Sequence, residues 1–120
     1  MRIALEVPGA RSLKDKRHVV RSFKERVRSR LGVSIAEVGH QDKLQRATFG
    51  VAVVSSDASV CEELLSKVVA MATSLSDAIV SDKAVEIIPF GEEATGIRGG
   101  IEQLGDEFYE DDPYDDEEDA

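Results

Sequence analysis

Basic side chains recur every three or four residues between Arg11 and Arg30, and the chemistry that such a pattern suits is the binding of phosphate. Five of them share one helical face, opposite the apolar one, and form what we call the basic stripe: Lys14, Arg17, Arg21, Lys24 and Arg28. The stripe is flanked by Lys16, Arg26 and Arg30, and only Asp15 and Glu25 are local acidic partners. Three interpretations stay open: an ordinary solvated helix surface, a phosphate-binding face, or a docking site for the chain's own acidic C-terminal segment.

The turn before this helix is a second candidate anion site. Pro8 and Gly9 break the preceding strand, and Ser12 is a good N-cap for a helix that begins at Leu13. Free N–H groups at a helix N-terminus attract anions, and Arg11 and Lys14 add positive charge there. The segment lacks the spacing of a P-loop, so a simple capped helix is the favoured interpretation.

Candidate catalytic groups are few. His40 and Asp42 lie in a polar loop that runs to Arg46, but no nucleophile is near them in sequence, so loop polarity or contact with a partner is the simpler interpretation. His18 is expected to be a half-buried structural residue, and Cys61 a small semi-buried one. The chain contains no asparagine, which an acylphosphatase would need. We therefore expect a protein that is not an enzyme and that needs no cofactor or metal.

Six segments with strand or helix periodicity must position these groups. The predicted strands are residues 2–7, 33–38, 45–55 and 84–90, and the predicted helices are residues 13–31 and a second helix from Asp57 or Ser59 to Leu75. The order βαββαβ predicts an α+β, ferredoxin-like sandwich: a four-stranded antiparallel sheet with two helices on one face. RNA-recognition motifs share this topology, but they stack bases on aromatic residues of the third strand. Here Phe49 is alone and is expected to face the core.

Charge divides the chain into two parts. Residues 1–90 carry a net charge of +3, with +7 in residues 1–50 alone, whereas residues 91–120 carry −12. We therefore expect a ferredoxin-like domain over residues 1–90 and an acidic, disordered tail over residues 91–120. One cysteine allows no internal disulfide, and no apolar run has the length of a signal peptide or a membrane span. A cytoplasmic protein with no membrane contact is the expectation.

Three segments resemble a known family. They are Val7-Pro8-Gly9-Ala10-Arg11-Ser12-Leu13-Lys14-Asp15-Lys16-Arg17, then Val33-Ser34-Ile35-Ala36-Glu37-Val38, then Gln45-Arg46-Ala47-Thr48 with Gly50-Val51-Ala52. Together they closely resemble the YlxP-like family, small bacterial proteins classed as a domain of unknown function. The resemblance covers about residues 1–90. It implies a ferredoxin-like fold and a place near genes of translation and ribosome maturation, and it brings no established activity.

The sequence thus predicts an accessory protein that binds structured RNA or a ribosomal surface. The residues expected to contact phosphates are Arg11, Lys14, Arg17, Arg21, Lys24, Arg28 and Arg46. The main alternative is a protein-interaction module that forms a homodimer through its open sheet face, without nucleic acid. Small side chains would allow close approach there, at Ala4, Thr48, Gly50 and Ala52. A small hydrolase that uses the first loop as an anion site is the third possibility.

Overall fold

The computed structural model describes residues 1–90. The elements follow the order βαββαβ: β1 (Arg2–Glu6), α1 (Leu13–Leu31), β2 (Ser34–Gly39), β3 (Arg46–Ala52), α2 (Ala58–Thr73) and β4 (Ile79–Ala84). The strands form one sheet in the order β2-β3-β1-β4, and every neighbouring pair is antiparallel. This is the ferredoxin-like arrangement, so the predicted fold is confirmed.

One compact unit comprises Met1–Ile87, and Ile88–Ala120 form a second unit, of which the structure describes only residues 88–90. The predicted boundary at residue 90 stays a prediction, and the predicted disorder of residues 91–120 lies outside the described residues. Neither helix in the described part of the chain has the length and apolarity to cross a membrane.

The register of the central strands separates the two faces of the sheet. Ile3 pairs with Phe49 and Leu5 with Ala47, and all four side chains are buried beneath the helices. The intervening pair, Ala4 and Thr48, points to the other side, which no helix covers. The core is therefore one layer between the sheet and the two helices. Phe23 of α1 meets Phe49 edge to face in this layer, with ring centroids 5.2 Å apart.

Helix α1 begins and ends where its sequence predicts. The Ser12 hydroxyl accepts a hydrogen bond from the Asp15 amide at 3.1 Å. Gly32 adopts the left-handed conformation (φ 64°) and donates its amide hydrogen to the Arg28 carbonyl at 3.0 Å. Because both ends are capped, the 19-residue helix is a rigid support for its basic residues.

The fourth strand lies earlier in the chain than its predicted range of residues 84–90. It spans Ile79–Ala84 and pairs along the whole of β1, from Glu6 with Ile79 to Arg2 with Ala84. Helix α2 ends at Thr73, so a short connection returns the chain to the end of β1, and pairing begins there. The apolar run at Val85–Phe90, which suggested a strand, is exposed beyond the last paired residue.

Candidate nucleic-acid interface

The basic stripe occupies one flank of α1. Its five members fall within a narrow sector of the helix, as predicted, but the sector is centred only about 110° around the axis from the buried residues, at roughly 100° per residue. The expectation that it lies opposite the apolar face is therefore wrong. Val20, Phe23 and Val27 determine how the helix is rotated, because they are the side chains that pack into the core. The stripe consequently lies on the side of α1 that faces the edge strand β2.

No stripe residue has an acidic partner within residues 1–90, and four of the five also have no side-chain hydrogen bond there: Lys14, Arg17, Arg21 and Lys24. The first three are exposed and Lys24 is half-buried. The two nearby carboxylates on the helix do not neutralise them. Asp15 instead accepts a hydrogen bond from the Arg11 amide at 3.0 Å. The flank is therefore a row of accessible cations on a rigid element.

Arg28, the fifth member, is partly engaged inside the domain. Its guanidinium donates to the Ile35 carbonyl of β2 at 2.7 Å. Gln41 similarly donates to the Glu37 carbonyl at 3.0 Å, so two successive outward carbonyls of this edge strand are occupied by side chains. Such contacts discourage the pairing of another strand with the edge. Arg28 remains exposed and keeps other N–H groups for an anion.

Arg11 lies just before the helix, on a turn that is hydrogen-bonded to both the side chain and the backbone of Gln45. The Gln45 side chain donates to the carbonyls of Pro8 and Ala10, at 3.1 and 3.2 Å. The Val7 amide donates to the Gln45 carbonyl at 2.9 Å. Since the Arg11 side chain is exposed, the turn adds one cation at the N-terminal end of the stripe.

Arg46 does not join the stripe. It belongs to β3, where its neighbour Ala47 points into the core, so Arg46 points to the uncovered side of the sheet. There it lies opposite Glu6 of β1, with 3.7 Å between Nη1 and the Glu6 carboxylate. The structure therefore places Arg46 and the basic stripe on opposite sides of the sheet, and a single flat surface cannot contact both.

Lys16, which the sequence places beside the stripe, is instead buried, with 1% of its surface exposed. Its ammonium lies 3.1 Å from the Glu37 carboxylate and donates to the His40 carbonyl at 2.5 Å. The Glu37 contact is an ion pair without hydrogen-bond alignment, and the paired oxygen has no other hydrogen-bond partner among residues 1–90. The sequence carried a signal for this burial, because Lys16 lies four residues before Val20 and seven before Phe23, on the core face.

The comparisons with known proteins agree with the resemblance predicted from the sequence. The family described as "Protein of unknown function (DUF503)" matches residues 1–85. The chain belongs to this family. A relative from Bacillus subtilis (strain 168), "Uncharacterized protein YlxP", is 43% identical over 68 residues, which are 57% of this chain and 74% of the relative. The predicted YlxP-like membership is confirmed, and neither description states an activity.

The remaining candidate residues of this DUF503 domain are His40, His18 and Cys61. The His40 ring contacts the Thr48 hydroxyl through Nδ1 at 2.8 Å, and His40 itself has a φ of 60°. His18 is exposed, so its expected half-burial is wrong. Cys61 is a buried free thiol. No cluster of three or more histidine, cysteine or carboxylate side chains in the described residues has the arrangement of a metal site.

Proposed function

We propose that this DUF503 domain binds structured RNA, free or at a ribosomal surface, through the exposed flank of α1. The observation that carries the proposal is the row of four stripe cations with no acidic partner within residues 1–90. Because the helix backbone is already ordered, only the side chains lose conformational freedom when they meet phosphates, and the release of counterions supplies the binding free energy. Such contacts set affinity and orientation and carry no sequence information.

We propose a smaller set of phosphate-contacting residues than the sequence suggested. The centre of the proposed interface consists of four residues: Lys14, Arg17, Arg21 and Lys24. Arg11 extends it at one end, and Arg28 contributes the N–H groups that are not bonded to the Ile35 carbonyl. From Lys14 to Arg28 the stripe is about 21 Å long, at roughly 1.5 Å per residue. Arg46 is left out of this surface. The proposed role is that of a cytoplasmic accessory protein in translation or ribosome maturation, with no catalytic step.

The test is a titration of a labelled, structured RNA with the full chain at several salt concentrations. Four phosphate contacts predict a slope of log affinity against log salt of about −2.8 to −3.6, taking roughly −0.7 to −0.9 per contact. The variant Arg17→Gln/Arg21→Gln/Lys24→Gln removes three of the four and is expected to make the slope shallower by about 2.1 to 2.7.

A matched control separates the flank from the overall charge. Arg26→Gln/Arg30→Gln/Lys67→Gln changes the net charge equally but leaves the stripe intact, and it is expected to bind nearly as the parent does. Equal losses in both triple variants would show that only net charge matters. Absence of binding by the parent at low salt would contradict the proposal and favour the alternative, a protein-interaction module without nucleic acid.

A further inference from the structure

The uncovered side of the sheet differs from α1 in its charge. We define the open sheet face by the side chains that point away from the helices on the three strands β3, β1 and β4: Arg46, Thr48 and Ala52, then Arg2, Ala4 and Glu6, then Ile79, Asp82 and Ala84. Two arginines balance two carboxylates, so the face has no net charge. The open sheet face therefore has no net electrostatic attraction for a polyanion, and a partner for it would have to be bound by other interactions.

The centre of this face is flat and small. Ala4 and Thr48 lie side by side on the two middle strands, 2% and 7% exposed, because neighbouring side chains shield them. Ile79, on the edge strand β4, leaves 60% of its surface in solvent. An exposed large apolar side chain beside a centre of small residues is a feature of a sheet face that packs on another sheet.

The charges of β1 are arranged symmetrically about Ala4. Arg2 and Glu6 lie two residues before and two residues after it, each about 7 Å away along the strand. A two-fold axis in the plane of the interface, perpendicular to the strands and passing at Ala4, would set Arg2 of one copy against Glu6 of the partner subunit, and Glu6 against the partner's Arg2. Both contacts join opposite charges.

The edge strand fits the same operation. Ile79 pairs in register with Glu6, and Ala84 pairs with Arg2, so the axis that exchanges Arg2 and Glu6 also exchanges the positions of Ile79 and Ala84. Each exposed Ile79 would meet the partner's Ala84, a large side chain against a small one. Asp82 pairs with Ala4 and therefore lies near the axis, where it would face Asp82 of the partner subunit. Arg2 of its own copy, 3.4 Å away, offsets each of these two negative charges.

We propose that the open sheet face binds a second copy of this chain, sheet against sheet with β1 strands antiparallel, through reciprocal Arg2–Glu6 contacts. The commitment to a second copy rests on this self-complementarity of charge and size. The helices lie on the outside of such a pair, so the basic stripe stays accessible in both copies. The proposed dimer does not depend on RNA binding, because it uses a different face of the domain.

The first measurement is the mass of the full chain in solution, by sedimentation at physiological salt, across concentrations from the low micromolar to the submillimolar range. A dimer is expected. Arg2→Glu places like charges at both symmetric contacts and is expected to raise the dissociation constant of the dimer about tenfold or more. Lys67→Glu is the matched control, since it reverses an exposed lysine that pairs with Glu63 on α2, away from the face. It is expected to leave the mass unchanged.

The decisive arm uses charge exchange. Arg2→Glu makes both β1 positions negative, and Glu6→Arg makes both positive, so each variant alone is expected to be monomeric while their equimolar mixture forms a heterodimer. The double variant Arg2→Glu/Glu6→Arg restores the contacts between copies but breaks both ion pairs within one copy, with Asp82 and Arg46. Recovery of the dimer by the mixture and by the double variant would support the inference. A monomeric parent, a dimer indifferent to Arg2→Glu, or a mixture that stays monomeric would each overturn it.

Discussion

At the scale of single residues, the charged side chains of α1 have two distinct roles. Lys14, Arg17 and Arg21 are exposed and have no acidic partner within residues 1–90, whereas Lys16 is buried against Glu37 and the His40 carbonyl. The buried ammonium links α1 to the end of β2 and to the loop that follows. One helix therefore carries a proposed binding surface and an internal cross-link only a few residues apart.

The internal cross-link gives a stability prediction. Lys16→Met keeps the aliphatic stem but leaves the Glu37 carboxylate without its cation, and it is expected to lower the free energy of unfolding by about 3 kcal/mol. Lys16→Met/Glu37→Leu removes both charges and is expected to recover most of that loss. Urea denaturation of the parent and the two variants measures both values. A single variant as stable as the parent would show that the pair contributes nothing.

At the scale of elements, each helix begins at a cap of a different kind. Helix α1 is capped by Ser12, and α2 by Asp57, whose carboxylate accepts hydrogen bonds from the Ser59 hydroxyl at 2.7 Å and the Ser59 amide at 2.9 Å. The sequence had offered Asp57 or Ser59 as the start of α2, and the structure selects Asp57. These hydrogen bonds hold the pKa of Asp57 below its ordinary value of 3.8, and the bond from the Ser59 hydroxyl has the largest effect.

The lowered pKa predicts how the cap depends on pH. A carboxyl group whose pKa is lower in the folded state adds stability above its ordinary pKa, and that stability is lost as the pH falls through the folded value. Asp57→Ala is expected to lower the thermal midpoint by a few degrees at neutral pH, and the difference from the parent is expected to shrink below about pH 4. Asp42→Ala, in an exposed loop, is the control. A difference that is constant with pH would contradict the role of the carboxylate.

At the scale of the whole molecule, we expect the acidic segment, residues 91–120, to compete with RNA for the basic stripe. Residues 91–120 carry a net charge of −12 on the same chain as a domain of +3. A tethered polyanion has a high local concentration near the domain, and its attraction is screened over about 8 Å at physiological salt. Charge alone therefore predicts that this segment weakens the binding of RNA at low salt.

Removal of residues 92–120 is accordingly expected to tighten RNA binding at low salt, with a gain that shrinks as salt rises. The measurement is the RNA titration repeated with the truncated chain, alone and combined with the triple glutamine variant of the stripe. The truncated chain is expected to keep a cooperative thermal transition within a few degrees of the parent, because the core that the structure describes is built from residues 1–85. A gain that survives the triple substitution would place the competing site away from α1.

Local periodicity determined much of this molecule from the sequence alone. The order of the six elements, both ends of α1 and the narrow sector of its cations follow from spacing, capping and glycine preference, which act over a few residues. The start of β4 does not follow from such local features, because it depends on the point where the chain reaches the end of β1 and on the register of the pairing that follows. The prediction of β4 relied on the apolar composition of Val85–Phe90, whereas pairing with β1 decides where the strand begins.

Which basic residues share the candidate site was likewise decided by the tertiary structure. The sequence selected the basic residues, but packing against Phe49 set the rotation of α1, and that rotation buried Lys16 and turned the stripe toward β2. The alternation of β3 placed Arg46 on the other side of the sheet, beside Glu6. Helical and strand periods define which residues share a face, whereas only the packing of elements decides which faces meet, because that depends on contacts between residues far apart in the chain.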